Sequence, residues 1–238
     1  MLQLYSKLCD KKGITMKIGI FTAMEKEAVS FLRDGVTKEK VGAFSVYQFP
    51  LGKHSAVLCC PPSVGEIAAS AACQLLIMKY GVDCILNFGV VGALTPKASV
   101  QSFVYVGDVV HYDMDTSEAD GYPIGGYGCF EDVAVKCDEA LLAKALKVNA
   151  LPVVRCASAD KFVGKTEAKK ALNRDFGAEI CDMESAGILF ACKFNNIPCL
   201  LVKCISDSLV GGYKEYREQV FSACEGFFQF ASDLADNL

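Results

Sequence analysis

Four acidic residues in this 238-residue chain fall where a carboxyl group is free to do chemistry. Glu27 follows the apolar run KIGIFTA, Asp160 follows VVRCASA, Asp207 follows CLLVKCIS with its terminal Ser206, and Glu184 sits within CDMESAG. Ligands of open α/β sheets bind beyond the carboxyl ends of the strands, and three of these residues lie at such ends. A carboxyl group there can give a proton, take one, or hold a hydroxyl. Each also has an ordinary structural use. A strand-end Asp often caps the next helix, and a first-turn Glu favours the helix dipole. No one of them decides the matter alone.

The elements that must position them alternate. The stretch 17–23 predicts a strand that passes into a helix pattern at Met24–Glu27, and 44–50 with 55–60 predict a pair of strands. A helix is expected from about 65 to 80. CILNFGVVGAL at 84–94 is a continuous apolar run broken by glycine, as in a strand buried on both faces. Then come a strand at 104–111, a Gly/Asp/Tyr-rich loop at 113–130, a helix at 138–148 and a strand at 153–159. Helices near 166–173 and 181–194, a strand at 199–206 and a terminal helix from about Tyr213 complete the order. This pattern predicts an α/β fold, a single domain whose mixed, largely parallel β-sheet is flanked by helices on both faces. No repeat or Pro/Ser linker divides the chain. The compact pattern begins at Met16, so 1–15 reads as an N-terminal extension and 16–238 as one domain.

Composition removes several function classes. Hydrophobic residues make up 52% and charged residues 22%, enough for a sizeable core. The net charge of −4 comes without a dense basic run, which argues against a nucleic-acid surface. The longest apolar stretch, 67–78, is shorter than the roughly 20 residues a membrane helix needs. Thirteen cysteines are an odd number, they sit in apolar runs, and no C-x-x-C pair occurs. Reduced thiols in a cytoplasmic protein are expected, rather than a disulfide framework. The only histidines are His54 and His111, which argues against zinc. The first fifteen residues lack the apolar core and cleavage site of a signal peptide. GYPIGGYG at 121–128 lacks the strand-before, helix-after setting of a phosphate loop. Asp113 and Asp115 read as turn or subunit-contact residues rather than metal ligands.

Six stretches carry a family resemblance: MKIGIFTAMEKE (16–27), NFGVVGAL (87–94), VGDVVHYDMD (106–115), ASADKFVG (157–164), CDMESAG (181–187) and KCISDSL (203–209). In order and spacing they resemble the nucleoside phosphorylase/nucleosidase superfamily, and most of all its 5′-methylthioadenosine/S-adenosylhomocysteine nucleosidases. The resemblance implies a nucleoside phosphorylase-like fold, a small-molecule nucleoside substrate, a homodimer, and no metal or organic cofactor. It also implies roles. Asp207, oriented by Ser206, would protonate the adenine N7, which requires a pKa raised by burial. Glu184 would accept hydrogen bonds from the ribose hydroxyls, and Met183 would pack beneath the sugar. Phe162 would stack on the purine, the Val163 backbone would read its edge, and Gly92 would line the same pocket. Glu27 would hold and deprotonate the attacking water. That division of labour is the one inverting glycosidases use.

Three features depart from the family pattern. Val90 and Val91 stand where relatives carry Ser or Thr followed by a small residue, a hydroxyl that helps bind phosphate or water. Its loss counts more heavily against a phosphorylase, because a phosphate dianion needs several donors. Lys203 replaces an arginine, keeping the charge without the planar fork, and is expected to pair with Glu27 or another site carboxylate. The loop TSEADGYP lacks most of the apolar residues that relatives use, across a dimer interface, to cover the 5′-alkylthio group. Tyr122 fits that role, and Tyr216 and Phe221 of the last helix are candidates for the missing wall. Two alternatives stay open. One is a phosphate-dependent purine nucleoside phosphorylase, the other a catalytically weak nucleoside-binding relative.

Overall fold

The structure, a computed structural model, describes residues 15–238. At its centre β5 (Cys84–Ala93) runs parallel to β1 (Lys17–Phe21) on one side and to β10 (Cys199–Asp207) on the other. β1 continues in parallel to β4 (His54–Cys60), and an antiparallel meander through β3 (Phe44–Leu51) to β2 (Thr37–Val41) forms that edge. Beyond β10 lie β6 (Phe103–His111) in antiparallel pairing, then β8 (Val153–Ser158) and β9 (Ile180–Asp182) in parallel. β9 meets β5 antiparallel, so β5, β10, β6, β8 and β9 close into a ring from which the other strands extend. The two-residue β7 (Val135–Lys136) pairs with β6.

Alternation along the strands supplies two cores. Ile85, Val91 and Ala93 of β5 join the side covered by α2 (Glu66–Tyr80) and α6 (Ser185–Asn195). Cys84, Leu86 and Phe88 face the side covered by α4 (Glu139–Val148) and α8 (Phe227–Ala235). The mixed α/β single-domain fold is therefore the one its patterning predicts, with helices on both faces. Every cysteine among the described residues is free, and all but Cys129 are buried. No helix among them is long and apolar enough to cross a membrane. The proposed extension 1–15 lies outside the described residues except for Thr15.

Sequence patterning missed elements where apolar signal is absent. β2 reads TKEKV, almost wholly exposed, and forms only because the β3 edge offers it partners. The helix expected over 181–194 begins at Ser185, because Ile180–Asp182 is used as strand β9. Asp182 Oδ1 accepts from the backbone N–H groups of Glu184 (3.4 Å) and Ser185 (3.2 Å), which starts α6 three residues later. The helix after β1 is a single turn, α1 (Glu25–Ala28), and the loop at 113–130 contains the short α3 (Ser117–Asp120). The remaining helices are α5 (Thr166–Phe176) and α7 (Gly212–Cys224), with Glu225–Gly226 dividing α7 from α8.

Candidate active site

The strand ends of β1, β5, β9 and β10 surround a mostly apolar cavity of about 340 Å³. Glu27, Glu184 and Asp207 all line it, together with Met24, Val90, Gly92, Phe162, Val163, Met183, Ser206 and Tyr216. Three carboxyl groups separated by 157 and 23 residues in sequence are thus gathered on one side of the sheet by chain topology.

Glu27 sits in α1, one turn past β1, and is 1% exposed. Its Oε2 accepts from the backbone N–H groups of Ala23 (2.8 Å) and Met24 (3.0 Å), and Oε1 accepts from that of Val90 (3.2 Å). Burial raises its pKa above the ordinary value, against the pull of these donors and of Lys203. The carboxyl is held rigidly and is easier to protonate than a surface glutamate.

Glu184 is the residue immediately before α6, not a member of its first turn. Its Oε1 accepts from the Gly65 N–H at 2.9 Å. Two glycines make that contact possible. Gly65 has φ +107°, and a Cβ there would lie 2.4 Å from Asp160 Oδ1. Gly187 lets α6 press against α2, since a Cβ on it would lie 2.3 Å from the Glu66 carbonyl oxygen. Burial, followed by repulsion from Asp182, pushes the Glu184 pKa up to about 8.

Asp207 ends β10 and is 2% exposed. Ser206 Oγ lies 3.0 Å from its Oδ1 and 3.2 Å from the Val91 carbonyl oxygen, the orienting position expected of it. Its Oδ2 receives the ammonium group of Lys169, at 2.5 Å. Burial raises the Asp207 pKa and Lys169 opposes the rise. Gly92 leaves room in front of this group, as an added Cβ would lie 3.2 Å from Oδ2.

Lys203 does not bond Glu27. Its Nζ donates to Asp182 Oδ2 at 2.7 Å, so the second of the two expected arrangements holds, and Asp182 is a residue the sequence reading missed. Burial works against the Lys203 charge, yet Asp182 keeps its pKa above the ordinary value. Asp182 stays below the usual carboxylate range even though burial opposes this, because Lys203 and the Ser185 hydroxyl stabilise its charge. Asp160, the other strand-end candidate, accepts from the Glu66 N–H at 2.7 Å and does not line the cavity.

At the mouth, Phe162 stands edge-on to Tyr213 and Tyr216, with ring centroids 5.9 and 5.7 Å away. Tyr216 therefore contributes to the wall, and its hydroxyl accepts from Lys26 Nζ at 3.0 Å. Phe221 does not line the cavity and is largely exposed, because it points away on the next turn of α7. Tyr122 is also outside the cavity; its ring covers Gly128 instead. Asp115 shapes a turn by accepting from the Ser117 N–H (3.0 Å) and hydroxyl (2.6 Å). Asp113 meets His111 Nε2 at 2.8 Å, and Glu66 meets the same nitrogen at 2.7 Å. Among the described residues this is the one cluster with the side chains to gather on a metal ion, and none of its members lines the cavity.

Carboxyl groups around an apolar, strand-end cavity define an α/β protein built to act on a small organic molecule. The model of the phosphorylase superfamily matches residues 17–233, and the chain belongs to that superfamily. It is 30% identical to an aminodeoxyfutalosine nucleosidase of Campylobacter jejuni over 81% of this chain and 86% of that protein. It is also 30% identical to a 5′-methylthioadenosine/S-adenosylhomocysteine nucleosidase of Shewanella denitrificans, with the same two coverages. A crystal structure of a Campylobacter jejuni 5′-methylthioadenosine/S-adenosylhomocysteine nucleosidase superposes with a TM-score of 0.87 at 26% identity, covering 94% of this chain and all of that one. These relatives are nucleosidases, enzymes that hydrolyse N-glycosidic bonds.

Proposed function

We propose that this enzyme hydrolyses the N-glycosidic bond of a 5′-modified adenine nucleoside, of the 5′-methylthioadenosine or S-adenosylhomocysteine type, and releases adenine. The observation that carries the reading is the meeting of Glu27, Glu184 and Asp207 in one apolar cavity. Asp207, its pKa raised by burial against the pull of Lys169, gives its proton to N7 and makes adenine a competent leaving group. Positive charge grows on the ribose, and Glu184 stabilises it through hydrogen bonds from the 2′- and 3′-hydroxyls. Glu27, fixed by three backbone donors, takes a proton from water as it attacks C1′. Phe162 stacks on the purine, Val163 reads its edge through the backbone, Gly92 admits it beside Asp207, and Met183 carries the sugar.

Water is the better assignment than phosphate. Val90 offers no hydroxyl, and the buried cation nearest Glu27, Lys203, is already committed to Asp182. We assign the chain a cytoplasmic homodimer, in which Tyr122 of one protomer closes the 5′ end of the other's cavity, and treat 1–15 as an extension to the domain 16–238. The test is incubation with 5′-methylthioadenosine, S-adenosylhomocysteine and aminodeoxyfutalosine, with and without phosphate. Adenine and free sugar should form at the same rate in both. Strict phosphate dependence with ribose 1-phosphate as product would overturn hydrolysis, and tight binding without adenine release would overturn catalysis.

A further inference from the structure

Lys169 is fully buried, and its Nζ makes two contacts, with Asp207 Oδ2 at 2.5 Å and the Ser208 carbonyl oxygen at 2.6 Å. Burying a lysine costs several kcal/mol in general and is rarely retained without a use for the charge. Its neighbour Lys170 shows the ordinary alternative, an exposed pair with Glu167. The buried ammonium group is delivered from α5 onto the one carboxyl group that must lose a proton in the reaction proposed above.

We propose that Lys169 is a positioning residue for proton donation. It fixes the Asp207 carboxyl group against Gly92 and stabilises the carboxylate created when the proton leaves. The inference rests on the assignment of Asp207 as the acid. In the step itself the Asp207 O–H bond breaks and the N7–H bond forms. The C1′–N9 bond breaks with its electron pair going to the base. Lys169 keeps all its protons, and Asp207 is reprotonated from solvent after adenine departs. The ion pair reaches full strength only after transfer, so it favours the transition state over the bound substrate.

Other groups facing Asp207 do not substitute for this charge. Glu215 of α7 repels it and is held by the Ser208 N–H at 2.6 Å, Cys181 of β9 presents a thiol, Ser206 presents a hydroxyl, and β5 offers only Gly92. Lys169 is the single cation among them.

The test compares Lys169→Met and Lys169→Arg on two substrates that share a 5′-methylthio sugar, the adenine nucleoside and the 4-nitrophenyl riboside. The nitrophenolate departs without a proton. Hydrolysis of the adenine nucleoside by Lys169→Met should fall by up to about tenfold for each unit of acid strength lost by Asp207. Cleavage of the nitrophenyl riboside should stay within about twofold, and Lys169→Arg should recover much of the adenine rate. The Asp207 carboxyl titration, read as the infrared difference from Asp207→Asn, should move to higher pH in Lys169→Met. Equal losses on both substrates, or an unmoved titration, would overturn the proposal, whether or not the variant is less stable. If Asp207→Asn itself releases adenine at the full rate, the assignment of the acid fails instead.

Discussion

Lys169 and Lys203 are both sealed from solvent and each meets an aspartate at a strand end, yet the two aspartates titrate in opposite directions. Asp182 is drawn below the usual range, because Lys203, the Ser185 hydroxyl and two backbone N–H groups all point at it. Asp207 has a lysine and one serine, and burial outweighs them. A buried pair surrounded by donors becomes a permanent ion pair that builds structure. Both aspartates line the cavity, but the pair with fewer donors keeps a carboxyl group better able to hold a proton. The number of donors around each carboxylate sets the direction in which its pKa moves.

The largest effects should fall on the donor-poor side of this comparison. Asp207→Asn and Glu27→Gln should each lower kcat by about 10²–10⁴, the usual value of a positioned acid or base, with folding measured by circular dichroism unchanged. Full activity in either variant would break the assignment of roles.

The donor-rich side should answer in stability. Lys203→Met leaves Asp182 charged and unpaired and should cost about 3–5 kcal/mol in urea unfolding. Lys169→Met should cost less, since Asp207 can take up a proton in place of its partner. Equal losses would erase the distinction between the two pairs.

Glu184 gives a smaller, pH-dependent effect. It holds ribose hydroxyls best as a carboxylate, and its pKa lies at about 8, so protonation below that value weakens its grip. Cleavage of a nitrophenyl riboside, which needs no proton from Asp207, should therefore show a rise in kcat/KM through about pH 8. Glu184→Gln should abolish that step and lower the plateau about 10- to 100-fold, the value of a hydrogen bond to a charged group. Val90→Thr should have the smallest effect. A restored hydroxyl near Glu27 should raise hydrolysis about threefold, as one extra net hydrogen bond would.

Much of the site was legible because strand-end carboxylates stand out in an apolar context. Glu27, Asp207 and Glu184 follow or interrupt hydrophobic runs, and the flanking Ser206, Met183, Phe162 and Val163 travel with them. The misses have separate causes. Asp182 sits beside Glu184 in the same motif, but a helix pattern continuing through it concealed a three-residue strand. Tyr122 lies outside the cavity lining, with its ring over Gly128. Phe221 has the same local character as Tyr216 but faces away from the cavity.

What the sequence determined by itself was the alternation of elements, the two-faced core and the carboxylates at strand ends, since these follow from periodicity and residue type. Tertiary structure alone decided the partners. TEAKKALNRDF gives no local reason to choose Lys169 over Lys170 as the buried residue, one position and about 100° of helix apart. Lys203 could equally have met Glu27 or Asp182. Ion pairing inside a protein depends on which side chains converge in three dimensions and how many donors converge with them, and neither quantity is written in local spacing.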